Sequence, residues 1–179
     1  RVFLTIAAGK PLKFYENFLG KEASIVRAMP NTPAAIRQGI TVLVGNTRVD
    51  STQRASAEAL MEAVGRVTWL DNEELMNAVT AISGSGPAYV FLMIEALSKA
   101  GVEMGLGINL AEELALKTVA GAGALAASSD MPPAELRRLV TSPGGTTEAA
   151  LGVLMKDENL VTLMKKAVST ATERGRDLA

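Results

Sequence analysis

Strand-like apolar segments recur through the first 70 residues of this 179-residue chain and then stop. That change limits the available folds, because alternating strands and helices followed only by helices build an α/β layer and then a separate all-α unit. Val2-Phe3-Leu4-Thr5-Ile6 is a short apolar run ended by Ala7-Ala8-Gly9, the pattern of a strand buried on both faces. Leu12 to Leu19 has the length of a short helix. Ser24 to Met29 is a second strand, stopped by Pro30-Asn31-Thr32-Pro33, and Ile40 to Val44 is a third, ended by Gly45-Asn46. Asp50, with Gln53 three residues on, forms a capping box for a helix that Gly65 stops, and Val67 to Leu70 is the last strand.

Beyond Asp71 the pattern is helical throughout. Asp71 and Glu74 read as a second capping box heading a helix to Ile82, which Ser83-Gly84-Ser85-Gly86-Pro87 breaks. Pro87 then sits in the first turn of the next helix, where its missing N–H is no loss, and that helix reaches Met104. Asn109 and Glu112 cap an Ala/Gly-rich helix to Ala127, Pro132 opens a short one to Val140, and a further helix spans Thr146 to Met155. Asp157 caps the last, which runs to Gly175. About six helices in succession define a second domain, with the boundary near residue 70, so the expected domains are 1–70 and 71–179. Gly121 and Gly123 each weaken their helix by roughly 1 kcal/mol relative to Ala. Their presence points to a helix crossing at very close range, within a subunit or between two.

Composition removes whole classes of chemistry. The chain has no Cys and no His, so disulfides, thiolate chemistry, Ser-His and Cys-His nucleophiles and most transition-metal sites are out of reach. A net charge of −1 with scattered basic residues argues against a nucleic-acid surface. No apolar run approaches the ~18 residues of a membrane span, and no membrane partner is expected. Hydrophobic residues make up 48% of the chain with only 4% aromatic, an excess that points to a buried subunit interface. The opening residue is Arg1, not Met, and its first strand has nothing before it to pair with, as expected of a truncated protein.

Three segments join Gly, Pro and hydroxyl residues at expected helix entrances, where unpaired N–H groups favour carboxylates and phosphates. Thr141-Ser-Pro-Gly-Gly-Thr-Thr147 is the strongest, since Gly144 and Gly145 leave a ligand's approach open. Ser83-Gly-Ser-Gly-Pro87 is similar but loses a donor to its proline. Met29-Pro-Asn-Thr-Pro33 follows a strand, where α/β sheets bind ligands. Each is also what an ordinary turn looks like. Asp130 reads as a loop carboxylate, and Lys10, Arg27 and Arg37 as solvated charges.

Taken in order, Ala7-Ala8-Gly9, Met29-Pro-Asn-Thr-Pro33, Ser83-Gly-Ser-Gly-Pro-Ala-Tyr89, Met104-Gly-Leu106 and Ser142-Pro-Gly-Gly-Thr-Thr147 resemble the pyrroline-5-carboxylate reductases over nearly the whole chain. The resemblance implies the C-terminal part of an NAD(P)-binding Rossmann domain followed by an all-α helical dimerisation domain. It implies NAD(P)H-dependent hydride transfer to the C=N bond of 1-pyrroline-5-carboxylate, giving L-proline, in a cytoplasmic homodimer or higher homo-oligomer. The family's site lies between the dinucleotide domain of one subunit and the helical domain of its partner. Thr147 then corresponds to the catalytic hydroxyl at the ring nitrogen. Ser142, Gly144, Gly145, Thr146 and Thr147 correspond to the substrate loop, with backbone N–H groups at Gly145 and Thr146 on the carboxylate. Ala7, Ala8 and Gly9 correspond to the nicotinamide end of an NADPH or NADH site, and Met29, Pro30 and Asn31 to the cleft beside it. Asp130 stands where many relatives carry Glu, and Thr146 where many carry Ala.

No G-x-G-x-x-G phosphate loop precedes Ala7, so the chain by itself is expected to be inactive. Two other readings compete. A non-enzymatic helical dimerisation module explains the Ala/Gly helices but not the hydroxyl-rich Gly loops. A hydroxyacid dehydrogenase would carry a Lys at its active-site helix, and Ser142–Thr147 has none.

Overall fold

In a computed structural model that describes residues 1–178, four strands hydrogen-bond in chain order: β1 (Phe3–Thr5), β2 (Ile25–Met29), β3 (Gly39–Gly45) and β4 (Gly65–Trp69). β1 and β2 run parallel across the crossover helix α1 (Leu12–Leu19), and β3 and β4 run parallel across α2 (Ser51–Glu62). β2 and β3 are antiparallel. Their connection holds only a 3-10 turn, Thr32–Ile36, and is too short for the crossover that a parallel pair needs.

Both faces of β2 and β3 are covered. Ile25, Val42 and Val44 pack with Leu12 of α1 and Met76, while Val26, Ala28 and Leu43 pack with Ala57 and Met61 of α2. Each of the Val, Leu, Ile and Met side chains among them contributes about 1.5–3 kcal/mol by leaving water. The expectation of burial on both faces therefore suits β2 and β3 but fails for β1. As the edge strand it leaves Phe3 46% exposed.

The capping box of α2 is present in both directions, with the Gln53 N–H donating to Asp50 Oδ1 at 2.8 Å and the Asp50 N–H to Gln53 Oε1 at 3.0 Å. Gly65 does not stop that helix, which ends at Glu62. It opens β4 with φ at 148°, and a Cβ there would run into the Gly39 carbonyl oxygen.

The helical region differs from expectation at several starts. Asn72, not Asp71, caps the turn Glu73–Leu75, accepting from the Glu74 N–H at 2.9 Å. α3 (Met76–Val79) then widens into a π turn over Thr80–Gly84, closed by the Ser85 N–H donating to Thr80 O at 2.8 Å, and α4 (Gly86–Glu103) follows. Ser83–Pro87 thus spans the end of the π turn and the first residues of α4, inside a continuous helical stretch rather than a break. The π turn precedes Pro87, whose missing N–H leaves the Ser83 carbonyl without its α-helical donor.

Unbroken, the helical residues Glu73–Glu103 are long and apolar enough by length and composition to cross a bilayer. The sequence reading sets that possibility aside because no apolar run approaches the ~18 residues of a span. Asn77, Thr80, Ser83 and Ser85 lie along this stretch, the Thr80 and Ser83 hydroxyls donating to the Met76 and Val79 carbonyls at 2.8 and 3.0 Å.

α5 (Ile108–Ser128) starts after Gly107 without a side-chain cap, so Asn109 is its second residue and no cap. α6 (Pro133–Leu139) and α7 (Thr146–Met155) follow. Asp157 takes φ of 50° in the 3-10 turn Lys156–Glu158, and α8 (Asn159–Asp177) continues past Gly175.

The chain forms two compact units, one of Arg1–Pro87 with the stretch from Lys166 onward, the other of Ala88–Lys165. In the second, α4 and α5 meet through small residues, a Cβ at Gly101 coming 3.2 Å from the Ala111 Cβ. Their larger apolar side chains face outward: Leu92 is 62% exposed and Leu116 51%. Among the described residues nothing stands within 4 Å of a Cβ at Gly121 or Gly123, so none of the described helices makes the close crossing those glycines suggest.

Candidate functional site

The first unit gathers three of the sequence-derived segments at one edge of its sheet. Thr5 pairs with Arg27 in the parallel register, so Ala7-Ala8-Gly9 and Met29-Pro30-Asn31 leave the sheet side by side at the carboxyl ends of β1 and β2. Ligands of α/β sheets bind at such ends. The π turn reaches the same place, since a Cβ at Gly84 would lie 2.7 Å from Met29 Cε. The loop after β1 is held from within: the Ala7 N–H donates to Thr5 Oγ1 at 3.3 Å, and that hydroxyl donates to Tyr15 Oη at 2.8 Å. Asn31 Oδ1 accepts from the Ile40 N–H at 2.9 Å, tying the second loop to β3. Its amide nitrogen makes no hydrogen bond among the described residues and remains free to donate.

Arg27 is a correction. It is 4% exposed and donates from Nη1 to Glu73 Oε1 at 3.0 Å, an oxygen that also accepts the Leu12 N–H at 2.8 Å. Lys10 is half-buried and donates to the Leu178 carbonyl at 3.3 Å. Of the three charges read as solvated, only Arg37 is exposed.

The second unit holds the other segment. α7 begins at Thr146 with Gly145 as its cap position, and Gly144 takes φ of 71°, which turns the chain into the helix. Two of the loop's donors are engaged: the Gly145 N–H donates to Ser142 O at 3.0 Å, and the Gly144 N–H to Glu148 Oε2 at 2.8 Å. The N–H groups of Thr146 and Thr147 are left open at the helix start. Thr147 is half-buried and its hydroxyl, like those of Ser142 and Thr146, makes no hydrogen bond within the described chain. A positive helix end with two free amides and a free hydroxyl is suited to a small carboxylate bearing a neighbouring acceptor.

A cleft of about 660 Å³ opens beside this loop between α6 and α7, lined by Arg137, Thr141, Glu148 and Leu151 among others. Asp130 is exposed in the loop before α6. Glu148 was not singled out from the sequence, although an acid three residues after a helix cap is a recognisable signal. Tyr15 and Leu178 carry no such local signal. Among the described residues no cluster of acidic side chains is disposed to hold a metal ion.

Residues 73–178 match the family model described as pyrroline-5-carboxylate reductase dimerisation. The whole chain aligns at 45% identity with 65% of the pyrroline-5-carboxylate reductase of Pseudomonas aeruginosa and at 40% with 64% of that of Arabidopsis thaliana. It thus spans just under two thirds of the length of these relatives. Among solved structures, the pyrroline-5-carboxylate reductase of Coxiella burnetii superposes with a TM-score of 0.93 at 44% identity, covering 98% of this chain and 65% of that one. The Plasmodium falciparum pyrroline carboxylate reductase, solved with NADP bound, gives 0.88 at 34% identity, covering 99% and 70%.

Proposed function

Because the chain belongs to the pyrroline-5-carboxylate reductase family, its sheet being of Rossmann type and the rest mostly helical, we propose that the protein it represents reduces 1-pyrroline-5-carboxylate to L-proline. The observation that carries this reading is the half-buried, unbonded Thr147 hydroxyl beside the open N–H groups of Thr146 and Thr147. These amides take the substrate carboxylate, with the Ser142 hydroxyl nearby. The Thr147 hydroxyl donates to the ring nitrogen, where negative charge would otherwise collect as the C=N bond is reduced. Gly144 and Gly145 keep the approach clear of side chains. Gly145 joins as a donor when its amide leaves the Ser142 carbonyl.

Reduced nicotinamide, NADPH or NADH, supplies the hydride. Ala7, Ala8 and Gly9 fit its ring because they present no bulk at the carboxyl edge of β1. The free amide nitrogen of Asn31 can donate to a carbonyl there, and Met29 and Pro30 wall the cleft. No residue of this chain is assigned to the cofactor's phosphates. On this reading residues 1–70 belong to the dinucleotide domain and 71–179 to the helical domain of a cytoplasmic homo-oligomer. The site of each active unit then draws its two halves from different subunits.

The test is NADPH oxidation by the complete parent protein with 1-pyrroline-5-carboxylate. Thr147→Ala is expected to lower kcat by about 10²-fold, and Thr147→Ser to recover most of it. An alanine variant as active as the parent rejects the donor role, and a parent without turnover rejects the reaction. That last outcome favours a second reading, a helical assembly module without activity of its own. The outward-facing Leu92 and Leu116 and the open flank at Gly121 support assembly in either case.

A further inference from the structure

The cofactor-facing loop of the first unit is braced by a residue from the other end of the chain. A Cβ at Gly9 would come 3.3 Å from the Leu178 Cβ and 3.4 Å from its carbonyl oxygen. That same carbonyl accepts from Lys10 Nζ at 3.3 Å, while the ammonium also lies 5.4 Å from the centre of the Phe14 ring. Leu178 is itself held, its N–H donating to Arg174 O at 3.3 Å. One turn earlier, Gly175 lets α8 come close to Asn77, a Cβ there lying 3.1 Å from Asn77 Oδ1. A lysine on the last carbonyls of a helix is a favourable end contact, and here it joins residues 168 apart in sequence.

We infer that Leu178 and Lys10 are positioning residues for the nicotinamide-facing loop. Lys10 ties the loop to the Leu178 carbonyl on the side where Gly9 takes its left-handed conformation, φ 74°, while the Ala7–Thr5–Tyr15 hydrogen bonds hold the other side. The inference rests on the reading of Ala7, Ala8 and Gly9 given above. The atom bound by Lys10 is the Leu178 carbonyl oxygen, and the Leu178 atoms nearest Gly9 are its Cβ and carbonyl, so backbone presence at position 178 matters more than the leucine side chain. An unbraced loop samples more conformations, and the cofactor must then order it on binding, which weakens binding without changing the chemistry.

The experiment uses the complete parent enzyme and four variants: a chain ended at Asp177, Lys10→Met, Lys10→Arg and Leu178→Ala. Hydrogen exchange over residues 6–12 is measured beside the separate KM values for NADPH and for the imine acid. The shortened chain and Lys10→Met are expected to speed exchange in that segment about tenfold. They are also expected to raise the KM for NADPH about fivefold, with the imine KM and kcat within twofold of the parent. Lys10→Arg and Leu178→Ala are expected to stay within twofold on every measure. Unchanged exchange in the shortened chain and in Lys10→Met overturns the brace. Faster exchange with an unchanged NADPH KM overturns its role in cofactor binding, as does a Lys10→Arg variant as impaired as Lys10→Met. A parent that neither binds nor oxidises NADPH overturns the functional reading and this inference with it, and that failure is seen before any variant is made.

Discussion

Glu148 folds back over the entrance of its own helix, its Oε2 accepting the Gly144 N–H at 2.8 Å. A carboxylate therefore already occupies one donor of the loop proposed to hold the substrate carboxylate. Glutamine can keep this hydrogen bond while removing the charge. Two carboxylates about 6 Å apart in a water-like medium repel by about 0.7 kcal/mol, so Glu148→Gln is expected to lower the KM for the imine acid about threefold at low ionic strength. The gain should shrink in 0.5 M salt, because screening removes it. Initial rates at the two ionic strengths check this, and a salt-independent change in KM would show that the charge is not the cause.

The buried Arg27 depends on Glu73, whose single oxygen serves both the guanidinium and the Leu12 amide. Glu73→Ala strands both donors at once and is expected to destabilise the fold by roughly 3 kcal/mol, as when one partner of a buried pair is lost. Arg27→Met, which fills similar volume without charge, should cost less. Denaturant midpoints of the two variants check the order, and equal losses would mean that packing rather than pairing sets the cost.

Gly84 and Met29 leave each other no room for a methyl group, since a Cβ at 84 would lie 2.7 Å from Met29 Cε. Gly84→Ala gains roughly 1 kcal/mol of helix propensity, which offsets the cost of displacing Met29 Cε, so stability should change little. Met29 must move aside, however, and it walls the proposed cofactor cleft. The expected result is an NADPH KM raised by about fivefold with the thermal midpoint nearly unchanged. A variant with parental KM would place Met29 outside the cleft.

Gly121 has open space around it in this chain. A Cβ at position 121 meets no other described residue, so loss of assembly in Gly121→Leu points to a contact with another copy. Light scattering on the purified parent and variant is expected to show the assembly dissociating in the variant while circular dichroism reports full helix content. Unchanged molar mass would exclude this flank of α5 from the interface.

What the sequence made legible is what neighbours in the chain decide. The bounds of α1 and α7 and the Asp50–Gln53 box follow from caps and periodicities that act within one turn. The glycine and hydroxyl loop before α7 could be named for the same reason. Local reasoning failed where a distant or competing partner intervened. Asn72 outcompeted Asp71 for the cap, and Pro87 was accommodated by a π turn instead of ending the helix.

The sequence by itself determined the division of the chain into a strand-bearing first part and a helical second part, and the glycine and hydroxyl make-up of the loop at Ser142–Thr147. Only the tertiary structure decided that β2 and β3 run antiparallel, that Arg27 is buried against Glu73, and that Lys10 bonds the Leu178 carbonyl. The reason is physical. Turn and cap energies depend on residues a few positions apart, whereas strand direction, burial of a charge and contacts between chain ends depend on which surfaces meet once the apolar faces have been removed from water.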